Sequence, residues 1–347
     1  MLALRKTDAA FGAALTHIPE PAAPPPGWAL VAVRAAGICG SDVHAFEWTA
    51  GYGFMAGRLP LTLGHEFSGT VLATGPGAGV KPGDAVVCWP TVGCGRCAPC
   101  AADRRQDCQQ RRIVGLHMDG AFAERVLVPA ANLRHAPEGC PAELAALAEP
   151  LAVAINAVDL AGIAPGDAVV VLGPGPIGLA AAFAATQAGA EVAVFGRDDA
   201  PRLACARDMG AAHAVDLLDE SLDNAVGRIF GRPADRVIEA AGVPEAVAAG
   251  LGVLRSNGVM VVAGIHARPL KLDLTGLVRM KQQLRGAHDT TEAALTRALA
   301  MLRDHPGPLS RLITHRLPLS KALDAFDLAR GRRAVKVMLT PDAGAGA

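Results

Sequence analysis

Residues 169–179 read Val169-Val170-Val171-Leu172-Gly173-Pro174-Gly175-Pro176-Ile177-Gly178-Leu179. A continuous apolar run of strand length meets a Gly-x-Gly-x-x-Gly turn, and a stretch of small helix-forming residues follows. Each glycine in that pattern has a separate duty. The first permits the tight turn, the second lets the backbone approach a pyrophosphate, and the third lets helix and strand pack closely. The helix that starts there offers unpaired N–H groups to a phosphate. Glycine turns are common, and this one gains weight because a strand precedes it and a helix follows. Gly173, Gly175, Pro176, Ile177 and Gly178 are therefore candidate dinucleotide-binding residues.

The same alternation continues downstream. A helix is expected over 177–188, a strand over 191–195, a helix over 200–209, and further strands at 214–215, 236–239 and 259–263. Fully apolar strands alternating with helices imply a parallel sheet covered on both faces, so the class is α/β with a doubly wound sheet. The tip of the second strand selects the cofactor. An acid there holds the ribose hydroxyls of NAD. Here the tip reads Gly196-Arg197-Asp198-Asp199, with no acid at its end. Arg197, helped by Arg202, is positioned to pair with a 2′-phosphate, which favours NADP over NAD. Asp198 or Asp199 swinging into the acid's role is the competing reading.

Upstream, the texture is β-rich. Strands are expected at 28–34, 67–74 and 84–88, separated by Gly/Pro turns, and an Ala/Leu-rich helix at 141–164. After about residue 290, a helix and a closing strand at 334–339 have no further βα partner and are assigned back to the first domain. The Gly/Ala tail, 343–347, is expected to fray.

Composition narrows the function classes. With 347 residues and 51% hydrophobic content, the chain can build two cores. Thirty-three basic and 33 acidic residues cancel, which leaves no electrostatic footprint for nucleic acid or an anionic membrane. No run approaches the roughly 20 consecutive apolar residues that span a bilayer. Residues 1–17 lack a signal-peptide layout, so a cytoplasmic protein is expected.

Four of the eight cysteines, Cys94, Cys97, Cys100 and Cys108, form Cys-x2-Cys-x2-Cys-x7-Cys. Four thiolates close a tetrahedral shell around zinc and leave no open position, so this site is structural. An iron–sulfur cluster also fits four cysteines. A second group is dispersed: Cys39, then His65-Glu66, then Glu149. Mixed S, N and O donors with one position left over describe a catalytic zinc. Each of these residues also has a bland reading, as a buried thiol, a satisfied histidine or a surface carboxylate.

Taken in order, Gly37-Ile38-Cys39-Gly40-Ser41-Asp42-Val43-His44, Gly64-His65-Glu66, the four-cysteine lobe, Glu149-Pro150 and the glycine loop resemble the zinc-dependent medium-chain dehydrogenases. The likeness is greatest to the polyol (sorbitol) and threonine branch. It implies a GroES-like β-rich catalytic domain (1–150, with a zinc-binding lobe at about 88–112), a Rossmann dinucleotide-binding domain (151–288) and a return to the catalytic domain (289–347). It also implies two zinc ions per chain. Cys39, His65 and Glu66 would hold the catalytic one, with Glu149 as a changeable ligand. Ser41 and His44 would form a proton relay, and Asp42 would support the metal site from behind. The implied reaction takes an alcohol to a ketone with NAD(P), in a homodimer or homotetramer paired through edges of the nucleotide domain, for which Val259–Ile265 and the following Pro-Leu-Lys-Leu-Asp run are candidates.

The sequence departs from the sorbitol enzymes at Arg285-Gly286-Ala287-His288-Asp289, where aromatic and arginine residues are usual, and at the non-acidic strand tip. Phe46 and Trp48, with Tyr52 beside them, line a pocket mouth, pack in the core or form a subunit contact. Glu47 and Arg58 are candidates for holding polyol hydroxyls. Two rivals remain at this stage. A zinc-free quinone reductase would lack Cys39, His65 and Glu66. A zinc-stapled nucleotide sensor would tolerate loss of Ser41 and His44.

Overall fold

The structure is a computed structural model that describes residues 1–342, so the tail expected to fray lies outside the described residues. The chain divides into two compact units. One contains Met1–Glu149, Thr291–Pro306 and the chain from Ile313 onward; the other contains Pro150–Thr290 and Gly307–Leu312. The return to the first unit is thus interrupted, which differs from a single return at 289. Part of the reason is local: the Cys205 thiol donates to the Arg311 carbonyl at 3.4 Å, within the second unit.

The first unit is organised on a seven-stranded sheet. Its long strand, Trp28–Gly37, pairs antiparallel with Glu66–Thr74, Arg125–Pro129 and Lys336–Thr340. Alternating burial along Trp28–Val33 follows the period of two expected of a strand with one face in a core. The closing strand of the chain lies beside Ala36 and Gly37, and Gly37 also lies opposite Glu66. That register brings three distant stretches of sequence to one corner. A small two-stranded ribbon, Thr91–Val92 with Arg112–Ile113, forms the neck of the cysteine lobe.

The second unit is a six-stranded sheet in which every pairing is parallel. The order is His213–Asp216, Glu191–Gly196, Ala168–Leu172, Ala234–Glu239, Leu254–Val262, Gln283–Gly286. By chain position this is 3-2-1-4-5-6, the doubly wound dinucleotide order, with its switch point between the first and fourth strands. Ala168–Leu172 is buried at every position, as a strand covered on both faces must be. Leu254–Val262 has partners on both sides, so Val259–Ile265 is not a free edge as expected. The edge on that side is Gln283–Gly286, exposed at all four residues, and His213–Asp216 is the opposite edge.

The helix expected over 141–164 is two helices, Ala142–Ala145 and Ala148–Ala161. Pro150 cannot donate within a helix interior, and the break at Ala146-Leu147 places it in a first turn, where no donor is needed. Ala142–Ala161 is long and apolar enough to cross a membrane by length and composition, but 78% of its most apolar window is buried, as in a core helix.

Candidate active site

Beyond Gly37 the chain turns at Ile38-Cys39 into the eight-residue helix Gly40–Glu47. Asp42, in its first turn and fully buried, accepts from the Cys39 N–H at 3.0 Å and from the Gly64 N–H at 3.3 Å. Its carboxylate also faces His65 Nδ1 at 3.5 Å. One acid therefore ties the Cys39 turn to the Gly64-His65-Glu66 segment. Gly64 sits at φ 98°, and a side chain there would meet the Phe122 ring at 2.6 Å. The turn that presents His65 requires glycine for both reasons.

The consequence is convergence. Cys39 Sγ, a His65 ring nitrogen and a Glu66 carboxylate oxygen lie within 4.8 Å of one another. Donors around a tetrahedral zinc stand roughly 3.5 Å apart, given bonds of about 2.0–2.3 Å, so small side-chain movements suffice. Thiolate, imidazole and carboxylate are the donor types zinc takes, and among the described residues the buried His65 Nδ1 has no hydrogen bond besides its approach to Asp42. The residues fit the ion. Burial opposes charge on His65, but the Asp42 and Cys39 charges hold its pKa well above 6.5. Glu149 is buried, and its charge acts on both Cys88 and Lys336; its carboxylate is not one of the three mutually close donors.

One participant was not anticipated from sequence. Lys336 is buried and donates to both Glu66 oxygens, at 2.8 and 2.6 Å, and to the Ile38 carbonyl at 3.0 Å. Burial opposes its charge, yet Glu66 and Cys39 hold its pKa above the ordinary lysine value. A methyl group on Gly37 would run into Glu66 Oε2, so the glycine makes room for this pair. The available signal was a lone lysine within the apolar stretch Ala334-Val335-Lys336-Val337-Met338-Leu339.

Ser41 Oγ lies 3.2 Å from His65 Nε2. His44 instead bonds Thr49 Oγ1 through Nδ1 at 3.0 Å, and burial lowers its pKa despite Glu47. Ser41 and His44 are three residues apart on one helix and share a face, without a direct bond between them. A row of rings leaves this point: His44 stacks on Tyr52 (5.7 Å), Tyr52 meets Phe54 (5.8 Å), and Phe54 stacks on His117 (4.7 Å). The buried Tyr52 hydroxyl has a raised pKa, first from desolvation and then from the charges of Cys39 and Asp42.

Phe46 and Trp48 make other contacts. Phe46 is buried and stacks on Phe326 at 4.9 Å, with the Arg330 guanidinium 5.5 Å from its ring centre. Trp48 ends the helix in a left-handed conformation, φ 55°, with Lys6 Nζ 5.3 Å above its ring. Phe46 thus belongs to the core of this unit, and Trp48, half-buried, packs against it. Glu47 is bound to Arg330 at 2.9 Å.

In the second unit, the helix Pro176–Gln187 starts at the glycine turn. Gly173 has φ 102°, and a Cβ there would meet the Ala241 nitrogen at 2.7 Å. A Cβ on Gly178 would overlap the Gly173 carbonyl, whereas one on Gly175 would meet nothing within 4 Å. The outer two glycines are fixed by packing, and Gly175 borders the open space a pyrophosphate requires. At the strand tip, Arg197 is exposed and lines a cavity of about 400 Å³ with Leu217, Leu218, Ser221 and two acids, Asp219 and Glu220. Arg202 is not free to help it, because it pairs with the buried Asp199 at 3.7 Å. Asp216 accepts from the N–H groups of Asp198 (3.0 Å), Leu218 (3.0 Å) and Asp199 (3.4 Å). Those bonds, led by Leu218, lower its pKa.

The four lobe cysteines gather with their sulfurs within 4.8 Å of one another. The Arg96 N–H leads the interactions that lower the Cys94 pKa to about 6, a ready thiolate. Arg105 stacks over the buried Trp89 at 4.6 Å and anchors the lobe to its unit.

Comparison with known proteins agrees with this geometry. Residues 25–138 match the alcohol dehydrogenase GroES-like domain, and residues 176–304 match the zinc-binding dehydrogenase family. The chain is 33% identical to sorbitol dehydrogenase of Halalkalibacterium halodurans, over 98% of this chain and 99% of that one. It is 34% identical to L-threonine 3-dehydrogenase of Bacillus subtilis, again over 98% and 99%. Among solved structures, a zinc-binding dehydrogenase from Sinorhizobium meliloti 1021 bound to NADP superposes with a TM-score of 0.86, at 31% identity over 98% and 99% of the two chains. A GroES-like unit carrying a Cys/His/Glu cluster, a four-thiol lobe and a doubly wound nucleotide unit in one chain thus have one common explanation: the protein belongs to the zinc-dependent alcohol dehydrogenase superfamily.

Proposed function

We propose that the chain transfers a hydride between a secondary alcohol and NAD(P), giving the ketone, with a polyol, sugar alcohol or related hydroxy compound as substrate. One observation carries this reading: the Cys39, His65 and Glu66 donors converge within 4.8 Å, with the Ser41 hydroxyl 3.2 Å from the same imidazole. The sorbitol relative supports the polyol class, and the threonine relative favours an amino-alcohol substrate as the second reading.

When bound, zinc supplies Lewis-acid polarisation of the substrate oxygen and the nicotinamide accepts the hydride. Ser41 Oγ takes the alcohol proton and, through a bridging hydroxyl or water, passes it to His44, whose depressed pKa keeps it ready as a base. Asp42 orients His65, and the N-terminal turn of Pro176–Gln187 with Gly173, Gly175 and Gly178 cradles the pyrophosphate.

NADP is the preferred cofactor in this reading. Arg197 is exposed beside the cavity, while Asp216 is engaged by three backbone N–H groups and Asp199 is buried against Arg202. The subunits form a homodimer or homotetramer through the exposed edge Gln283–Gly286. Eight unpaired cysteines suit the reducing cytoplasm.

The test is a panel of polyols, amino alcohols and simple alcohols with both cofactors. Two zinc ions per chain are expected, and Cys39→Ser should lower kcat/KM by at least about 100-fold. Full turnover in Cys39→Ser would overturn the mechanism, and a strong preference for NAD would overturn the role of Arg197.

A further inference from the structure

In the second unit, the strand Ala234–Glu239 ends in a fully buried carboxylate. Glu239 lies opposite Leu172 on one side and Val262 on the other, at the C-terminal ends of three adjacent parallel strands. Its Oε1 accepts from the Ala241 N–H at 2.7 Å and from the Gly242 N–H at 2.6 Å, and its Oε2 meets His266 Nε2 at 3.0 Å. One carboxylate thus joins the loop after the fourth strand to the loop after the fifth. The two loops pack without room between them. A Cβ on Gly242 would meet the Ile265 carbonyl at 2.7 Å, and one on Gly264 would overlap the Gly242 nitrogen. Gly173 of the dinucleotide turn lies against Ala241 in the same way, so the pair is built into the rim that carries the turn.

The chemistry of the pair fixes its polarity. An ionised carboxylate only accepts, so the neutral ring keeps its proton on Nε2 and presents Nδ1 as a lone pair. Among the described residues Nδ1 has no hydrogen-bond partner, and it is not sealed from solvent. The side chain is 19% exposed, so a ring held on one edge offers an acceptor on the other. An ionised pyrophosphate has only acceptors and cannot use it; a hydroxyl or an amide N–H can. A doubly wound sheet binds one mononucleotide half of its ligand on each side of the switch point. The adenosine half belongs with the tip of the second strand, where Arg197 stands, so the fourth and fifth strands carry the nicotinamide half. That half has proton donors, in its ribose hydroxyls and its carboxamide.

We propose that His266 Nδ1 accepts a hydrogen bond from the nicotinamide half of the cofactor, and that Glu239 is the residue that positions the ring and sets its polarity. The identity of the ligand rests on the dehydrogenase reading above; its contact with His266 is measured without turnover.

The zinc-loaded chain with 15N-labelled histidine is titrated with NAD, ADP-ribose and AMP, and with the 2′-phosphorylated form of each. The His266 ring signals are assigned by their loss in His266→Leu. A saturable shift of the Nδ1 signal is expected with the dinucleotide and not with AMP. The same shift with ADP-ribose assigns the donor as a ribose hydroxyl, and a shift with the dinucleotide alone assigns the carboxamide. His266→Leu should weaken dinucleotide binding about tenfold and leave AMP binding unchanged, whereas collapse of the packed loops would weaken both through the Gly173 turn. Glu239→Gln keeps an oxygen for the two backbone N–H groups and turns an N–H toward His266. The ring proton then moves to Nδ1, and dinucleotide binding should weaken as far as in His266→Leu. Should Glu239→Gln fail to fold, the leucine variant still decides the contact. A dinucleotide that binds without shifting Nδ1, an equal shift with AMP, or an equal loss of AMP and dinucleotide in His266→Leu overturns the inference. A chain that binds none of these ligands overturns it together with the cofactor. A chain that binds the dinucleotide but oxidises no alcohol would sink the dehydrogenase reading, while the titration would still decide the role of His266.

Discussion

At the scale of single residues, the least expected feature is the Glu66–Lys336 pair. Two opposite charges, both buried, are satisfied by three hydrogen bonds donated by one ammonium group. Removing one partner of such a pair leaves the other charged and desolvated, which costs about 3–5 kcal/mol. Lys336→Met is therefore expected to destabilise the first unit by that amount without added zinc, and Lys336→Met/Glu66→Gln should recover most of it. All three tryptophans, Trp28, Trp48 and Trp89, lie in that unit, so urea unfolding followed by tryptophan fluorescence reads it directly. A loss below 1 kcal/mol in the single variant would mean the pair is not held as described. His65, Glu66 and Cys39 were legible in the sequence because metal-binding residue types recur in a known order. Lys336 was not, since a lysine in a strand reads as an exposed position unless the register is known. Phe46 and Trp48 show the same limit: an apolar stretch does not say which side of a helix faces the core.

At the scale of elements, the strand–turn–helix around Gly173 was almost fully legible, because each glycine answers a steric demand. The same demands make a prediction. Ala at Gly178 places a methyl against the Gly173 carbonyl, which is backbone and cannot rotate away. Gly178→Ala should raise the cofactor KM at least about tenfold by displacing the turn, with zinc content unchanged. An unaltered KM would show that the turn is more compliant than its packing implies. The opposite end of the sheet was not legible. Asp235 accepts from the Ala168 N–H at 2.8 Å and pairs with Arg255 at 2.5 Å and with Arg232, pinning the ends of two strands. Burial alone would raise its pKa, but these donors leave it below the ordinary 3.8. A depressed folded-state pKa stabilises the protein above the unfolded value and stops doing so as pH falls through the folded value. Asp235→Asn should therefore cost about 2 kcal/mol at neutral pH, with the gap to wild type closing only below about pH 4. A gap that stays constant from pH 7 to 3 would remove the carboxylate's charge from the account.

At the scale of the whole molecule, sequence texture identified a β-rich unit, a doubly wound unit and a chain that returns, because period-two and strand–helix patterns follow from burial alone. It misplaced the free edge, since strand order in a parallel sheet is set by crossover connections and not by composition. That order leaves Gln283–Gly286 with one side unpaired, next to a helix, Leu274–Met280, that has no buried residue. Leu274 and Val278 are 64% and 68% exposed, and Met280 and Leu284 about 40%. An unpaired strand flanked by large apolar side chains is a template for pairing with another chain. A second copy satisfies it symmetrically, because two identical edges related by a twofold axis can pair antiparallel. The chain should therefore sediment as a dimer or a larger even assembly at micromolar concentration. Val278→Asp/Leu284→Lys should shift it towards monomer, since both changes put charge on the surface to be buried while touching no residue of the metal cluster or the glycine turn. Retention of two zinc ions per chain in that variant would separate lost assembly from misfolding. A wild-type chain that stays monomeric at tens of micromolar, or a variant that assembles as the wild type does, would place the subunit contact elsewhere on the protein.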